Sequence, residues 1–320
     1  MINNLKKKVL KNLLLKLFVL SITLVLLDFI IGSLLDIFYF RQESGVLYRT
    51  TYAIEKTKED LLIFGSSTAI HNYDPTIFEK GLKMSAYNVG NDGRSVFYHY
   101  AVLQAVLKRY KPKIIIYDFE IREFSKDQES YDRISSLLPY YKKNPEIRPI
   151  IELKSPYEKY KLLSNIYPYN SLIFTIGIGN TEFNKKRRGD INGFVPLPNI
   201  WNHPIDTITF VNRELDSNKI KIFESFVKDC ANAKIELFVV CSPILIEPDY
   251  TSNSEMMGEK IAKKYNVNFM NYSKDSLFIN NPKLFADIGH LNVEGAKIFS
   301  NIVKENIARV SKSLTKTGNQ

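Results

Sequence analysis

Cysteine and histidine are scarce in this chain: two and four, respectively, in 320 residues. Cys230 falls near the end of a helical pattern, and Cys241 closes an apolar, strand-like run, Ile235 to Val240. No metal-type spacing links either cysteine to a histidine. The pair therefore reads as two buried thiols rather than a disulfide, and neither a metal nor another cofactor is expected. Internal repeats and low-complexity tracts are also lacking. Charged residues at 24% and hydrophobic ones at 45% exclude the disordered and fibrous classes.

Acidic residues are missing from the N-terminus. Lys6, Lys7, Lys8, Lys11 and Lys16 all precede the first carboxylate, Asp28, so half of the net charge of +10 is gathered there. A nucleic-acid protein more often spreads basic charge over a folded face, and no nucleic acid is expected as a partner. After the lysines come the apolar runs Leu17 to Leu27 and Phe29 to Leu35, interrupted by Asp28. Together they are close to the roughly 20 residues that cross about 30 Å of hydrocarbon. A carboxylate at the helix centre costs about 3 kcal/mol on insertion scales. Sliding the span towards Val9, with Lys11 and Lys16 snorkelling to the headgroups, moves Asp28 to the outer interface.

Lysines before the span and few after it put the N-terminus in the cytoplasm. No small-x-small cleavage site follows. Residues 1–40 are thus expected to form a basic tail and an uncleaved single-pass anchor in the cell membrane. Residues 41–320 then form an extracytoplasmic domain. A buried amphipathic helix is the competing reading.

From Asp60 onwards short apolar runs alternate with helical patterns. Leu61–Phe64, Ala86–Val89, Lys113–Tyr117, Ile235–Val240 and Val267–Met270 read as strands. Helical spacing covers Val96–Tyr110, Asn218–Val227, Glu255–Tyr265 and Asn292–Val310. Continuous apolar strands between helices predict an α/β fold, a doubly wound and mostly parallel sheet covered on both faces. Ligands of such sheets bind at the carboxyl ends of the strands.

Residues from about 125 to 215 break the alternation. They are rich in tyrosine (Tyr131, Tyr140, Tyr141, Tyr157, Tyr160, Tyr167, Tyr169) and proline, with a basic run, Lys185–Arg188. They read as a partly helical insertion capping the active-site end of the sheet. The basic run is either a solvated loop or a rim favouring an anionic polymer. The tyrosines form either a cap core or stacking surfaces for sugar rings.

Three short blocks carry the chemistry. Phe64-Gly-Ser-Ser-Thr68 directly follows the first strand, where Gly65 permits a tight turn and a serine hydroxyl is presented at the sheet edge. Asp287-Ile-Gly-His290 places a carboxylate one turn from a histidine. That is what a base needs to have its tautomer fixed while it activates a serine. Asn292 then reads as the cap of the last helix. Asn88-Val-Gly-Asn-Asp-Gly93 ends the second strand, with glycine amides free to face a developing oxyanion. It lacks the spacing of a dinucleotide fingerprint. His71, four residues after Ser67, is expected to line the site or face solvent rather than serve as the base. His99 and His203 read as structural.

In this order the blocks resemble the SGNH, or GDSL-like, hydrolases and acyltransferases. The resemblance covers roughly residues 58–120 and 218–310. It implies a flavodoxin-like fold, Ser67 as nucleophile, Asp287 and His290 completing a triad, and the amides of Ser67 and Gly93 as oxyanion donors. The family's Asp before the serine is Ser66 here, similar to the Gly-Ser-Ser of membrane-anchored D-alanyl transfer proteins. Its third block, Gly-x-Asn-Asp, is replaced by Tyr117-Asp-Phe-Glu-Ile-Arg-Glu123.

The resemblance implies an extracytoplasmic serine esterase or O-acyltransferase. Its substrates would be acyl groups, acetyl foremost, on a cell-surface glycan or other acylated polymer. A multi-pass membrane partner would supply the acyl donor. The missing third block leaves open an inactive glycan-binding or scaffolding module of an acylation complex. A lipid esterase at the membrane surface is a third reading.

Overall fold

In the computed structural model, residues 2–181, 190–204, 213–247 and 252–311 are described. The first element, α1 (Ile2–Phe40), continues the apolar N-terminal segment as one helix. Every side chain from Lys6 to Leu27 is exposed, and this helix is long and apolar enough to cross a membrane.

Beyond it the chain alternates strand and helix. β1 (Leu61–Phe64) leads into α2 (Ser67–Asn72) and α3 (Pro75–Leu82). β2 (Ala86–Asn88) leads into α4 (Val96–Arg109), and β3 (Ile114–Asp118) into the insertion, which includes α5 (Ile173–Gly179). α6 (Ser217–Asn232), β4 (Glu236–Cys241), α7 (Asn253–Lys264), β5 (Asn268–Asn271) and α8 (Val293–Val310) complete the described chain. Boundaries fall within a few residues of those the sequence implies, except that α6 runs five residues past Val227.

The five strands pair in parallel in the order β2-β1-β3-β4-β5. The inner strands are apolar along their length, apart from Asp118 at the end of β3 and Glu236 at the start of β4, because both faces are covered. Leu61, Ile63, Ile114, Ile116, Phe238 and Val240 pack under α2, α3 and α8. Leu62, Phe64, Ile115, Tyr117, Leu237 and Val239 pack under α4 and α6 on the other face. Each such fully buried side chain contributes about 1.5–3 kcal/mol relative to exposure. Cys230 and Cys241 are buried free thiols in the second of these layers. The strand order reverses direction at β1, so the connections after the neighbouring strands β1 and β3 leave on opposite faces of the sheet and open a crevice at the strands' carboxyl ends.

The insertion differs in part from its expected place. Short helical turns occupy it, and its first and last portions do reach the carboxyl end of the sheet. Its middle instead packs on α1 and α4, with Tyr39, Tyr140 and Tyr169 sharing one aromatic cluster. The insertion's tyrosines therefore split: Tyr140 and Tyr169 are buried core, packed with Tyr39 of α1, whereas Tyr157 and Tyr160 are exposed. Lys185–Arg188 lies outside the described residues.

Candidate active site

Ser67 is the first residue of α2, placed there by the turn through Gly65. Gly65 has φ +143°, and a Cβ on it would lie 2.8 Å from both the Ala69 and Asp118 side chains, so only glycine fits. The loop after β2 is stitched to this turn. The Asn91 amide donates to Gly65 O at 3.0 Å, and the Asn88 side chain donates to the carbonyls of Ala69 and Tyr73 at 2.7 and 3.2 Å. Gly93, at φ +62°, is thereby held beside Ser66, the two lining one cleft. Among the described residues the amides of Ser67 and Gly93 donate to no protein acceptor.

His290 arrives from the opposite end of the chain, on the turn before α8. Asn292 caps that helix by accepting from the amides of Glu294 and Gly295 at 3.1 and 3.0 Å. The turn is tied to α2 through the Leu291 amide, which donates to Asn72 Oδ1 at 2.9 Å. His290 Nε2 lies 2.7 Å from Ser67 Oγ, and Nδ1 lies 2.8 and 2.9 Å from the two oxygens of Asp287. An ionised carboxylate only accepts, so Nδ1 carries the hydrogen and Nε2 accepts from the serine hydroxyl.

Asp287 is fixed in turn by the amides of Gly289 and His290, both at 2.9 Å. Burial alone would push the imidazole pKa down, but the Asp287 hydrogen bond and charge hold it above its ordinary value. Asp287 itself is partly desolvated, yet its hydrogen bonds keep it below the usual carboxylate range.

His71 lines the site, as one of the two expectations had it. Its ring packs edge-on against His290 at 5.1 Å, and its Nδ1 donates to Val195 O at 2.7 Å. Burial lowers the His71 pKa while Asp287 raises that of His290, which separates the two roles. His99 is buried, its pKa pushed down to about 3 by desolvation. His203 packs edge-on against Trp201.

Where the third block is missing, the structure holds a carboxylate hub that the sequence did not disclose. Asp118 ends β3, fully buried, and accepts from the hydroxyls of Tyr73 at 2.8 Å, Ser242 and Thr68. Burial raises its pKa, and the three hydroxyls oppose that rise. It thus joins β3, α2 and the loop after β4 directly beneath the nucleophile. Asp118→Ala would take the carboxylate acceptor from the buried hydroxyls of Tyr73 and Ser242, which keep only their 3.2 Å contact with each other, and from the half-buried Thr68, at about 1–3 kcal/mol for each buried donor left unpaired. A loss of about 1–3 kcal/mol is expected in urea unfolding of the full-length protein in detergent, whereas a loss below about 0.5 kcal/mol would show that the hub is not structural. Next to it, burial and the Asp118 charge push Glu120 upward, and Glu123 rises to about 8.

Two cavities flank Ser67. The polar one, about 240 Å³, holds Ser66, Gly93, Arg94, Glu120, Arg133 and Lys219. Several of its charges are paired, Arg133 with Glu129 and Lys219 with Asp127. The other, about 360 Å³, opens beside Thr68 and Gly289 and is walled by Phe119, Ile121, Ile244, Ile246 and Ile288. The two share Glu120 and Arg122. No family model matches the chain, and no curated protein matches it closely enough to count as a relative.

Proposed function

We propose that this chain is a membrane-anchored serine acyl-transfer enzyme of the SGNH type, acting as an esterase or O-acyltransferase on the acyl groups of a cell-surface polymer. The hydrogen-bonded line from Ser67 through His290 to Asp287 carries the proposal. The strand order β2-β1-β3-β4-β5 supports it, because that order is also the flavodoxin-like one. In the reaction, His290 takes the Ser67 proton as Oγ attacks the ester carbonyl. The oxyanion is met by the amides of Ser67 and Gly93. His290 then returns the proton to the departing alcohol, leaving an acyl-enzyme. A sugar hydroxyl or water, deprotonated by His290, takes the acyl group and frees the serine. The lysines in the first turns of α1, ahead of its apolar run, orient the N-terminus to the cytoplasm and the catalytic domain outside.

The two cavities suit the two halves of such a substrate. The apolar one, at about 360 Å³, would take the acyl group, and the charged one the hydrophilic alcohol or acceptor. The apolar cavity leaves room for chains longer than acetyl. On p-nitrophenyl esters from acetate to octanoate, kcat/KM is expected to rise roughly three- to four-fold per methylene until the cavity fills. Ile244→Trp, which narrows that cavity, should flatten the series while leaving acetate unchanged. A flat wild-type series would return the acyl group to acetyl.

The replacement of the third block by Asp118 and Glu120 favours a second reading, an inactive glycan-binding or scaffolding module. Labelling of the full-length protein in detergent by a fluorophosphonate probe separates the two. Labelling that is lost in Ser67→Ala supports the enzyme, and a folded protein that stays unlabelled supports the module.

A further inference from the structure

A segment of the insertion carries large apolar side chains outward. Phe174 is 87% exposed, Leu163 77% and Ile178 61%, with Tyr157 and Tyr160 exposed nearby in the chain. So much uncovered apolar surface in one short stretch calls for a partner.

The same segment is fastened to α1. Asp28 accepts from the amides of Asn165 and Ile166 at 2.7 and 3.3 Å, from the Asn165 side chain at 3.0 Å, and from the Ser164 hydroxyl. A Cβ on Gly32 would lie 2.4 Å from Asn165. Asp36 accepts from the Tyr169 hydroxyl at 2.6 Å, and Asn180 donates to Phe38 O at 2.9 Å. The α1 residues in these contacts, Asp28, Gly32 and Asp36, recur every four positions and so share one face. The other face continues apolar and open beyond Asp28, with Ile30, Leu34 and Ile37 each 49–57% exposed.

We infer that the stretch from Tyr157 to Ile178 rests in the domain-side leaflet of the membrane that α1 crosses, with Leu163, Phe174 and Ile178 among the lipids. Length agrees: α1 spans about 58 Å at 1.5 Å per residue, against roughly 30 Å of hydrocarbon, so its outer part has surplus to lie alongside that leaflet when tilted. Charge agrees too, since the exposed Lys159 stands beside Tyr160 within this stretch, where it meets headgroup phosphates, while Lys161 is paired with Glu158 at 2.9 Å. Tyrosines at that level match the aromatic belt of a bilayer surface. The carboxylates of Asp28 and Asp36 are tolerated near lipid because the cap satisfies them. The catalytic domain would then lie against the membrane rather than hang from a free tether.

The test uses the full chain in vesicles of mixed neutral and anionic phospholipid. Trp201 is the single tryptophan, so Phe174→Trp is placed in a Trp201→Phe background, and Ile178→Trp repeats the measurement. Both sites are exposed, so folding is not at stake. Emission shifted to shorter wavelength and largely lost with lipids brominated near the headgroup is the expected result. Water-like, unquenched emission overturns the inference. Shifted but unquenched emission also overturns it, and points to a second copy or another protein on this face. A chain that fails to float with the vesicles overturns the membrane span itself. None of these outcomes depends on catalytic activity.

Discussion

Ser67→Ala is expected to lower hydrolysis of an activated ester roughly 10⁶-fold, and His290→Ala about as far, with the double variant no worse than either. The shared ceiling follows from the geometry. Ser67 Oγ and His290 Nε2 are 2.7 Å apart, so the hydroxyl loses its proton to one base only, and either deletion breaks the same transfer. What remains comes from the oxyanion amides and substrate binding, which neither substitution touches. Additive losses would mean that the two side chains act in separate steps. Unchanged turnover in Ser67→Ala would exclude the acyl-enzyme altogether. His71→Ala offers the contrast. Its ring touches His290 but its Nδ1 is spent on Val195 O, so it positions the base and does not replace it.

The sheet was legible because its inner strands are buried on both faces and therefore read as nearly continuous apolar runs, with Glu236 as the one interruption. Even β2, only three residues long, showed through Ala86–Val89. The Asp287–His290 pair was legible because its two members lie on one turn and need no distant partner. Other features depend on contacts that no local pattern records. Asp28 looked like a flaw in an apolar span, since its partners Ser164 to Ile166 lie more than 130 residues away. That same blindness placed the whole insertion over the active site, when its middle is drawn to α1 by those bonds. Asp118 looked like the loss of an oxyanion donor. Its role as a buried hub appears only when Thr68 and Tyr73 from α2 and its end, and Ser242 from the loop after β4, converge on it.

Asp287→Asn should preserve the fold of the turn and still cost about 10⁴ in kcat, near 5 kcal/mol of barrier. The Asn oxygen can go on accepting from the amides of Gly289 and His290, which now bond to Oδ1. Its amide group must then stand at the Oδ2 position, 2.9 Å from His290 Nδ1, while its oxygen, at the Oδ1 position 2.8 Å from the same nitrogen, is already taken by two backbone amides. A donor there calls for an unprotonated Nδ1, which moves the hydrogen to Nε2 and removes the acceptor for the Ser67 proton. The pH profile supplies a second readout. Only neutral His290 can act as base, and the Asp287 carboxylate favours the charged ring. Wild-type activity is therefore expected to fall as pH drops through a midpoint above the ordinary imidazole value of about 6.5. In Asp287→Asn that support for the imidazolium is gone, so the residual activity should titrate at lower pH. A variant that kept its rate within about ten-fold, with an unmoved acid limb, would show that the Asp287 contact does not set the tautomer of His290.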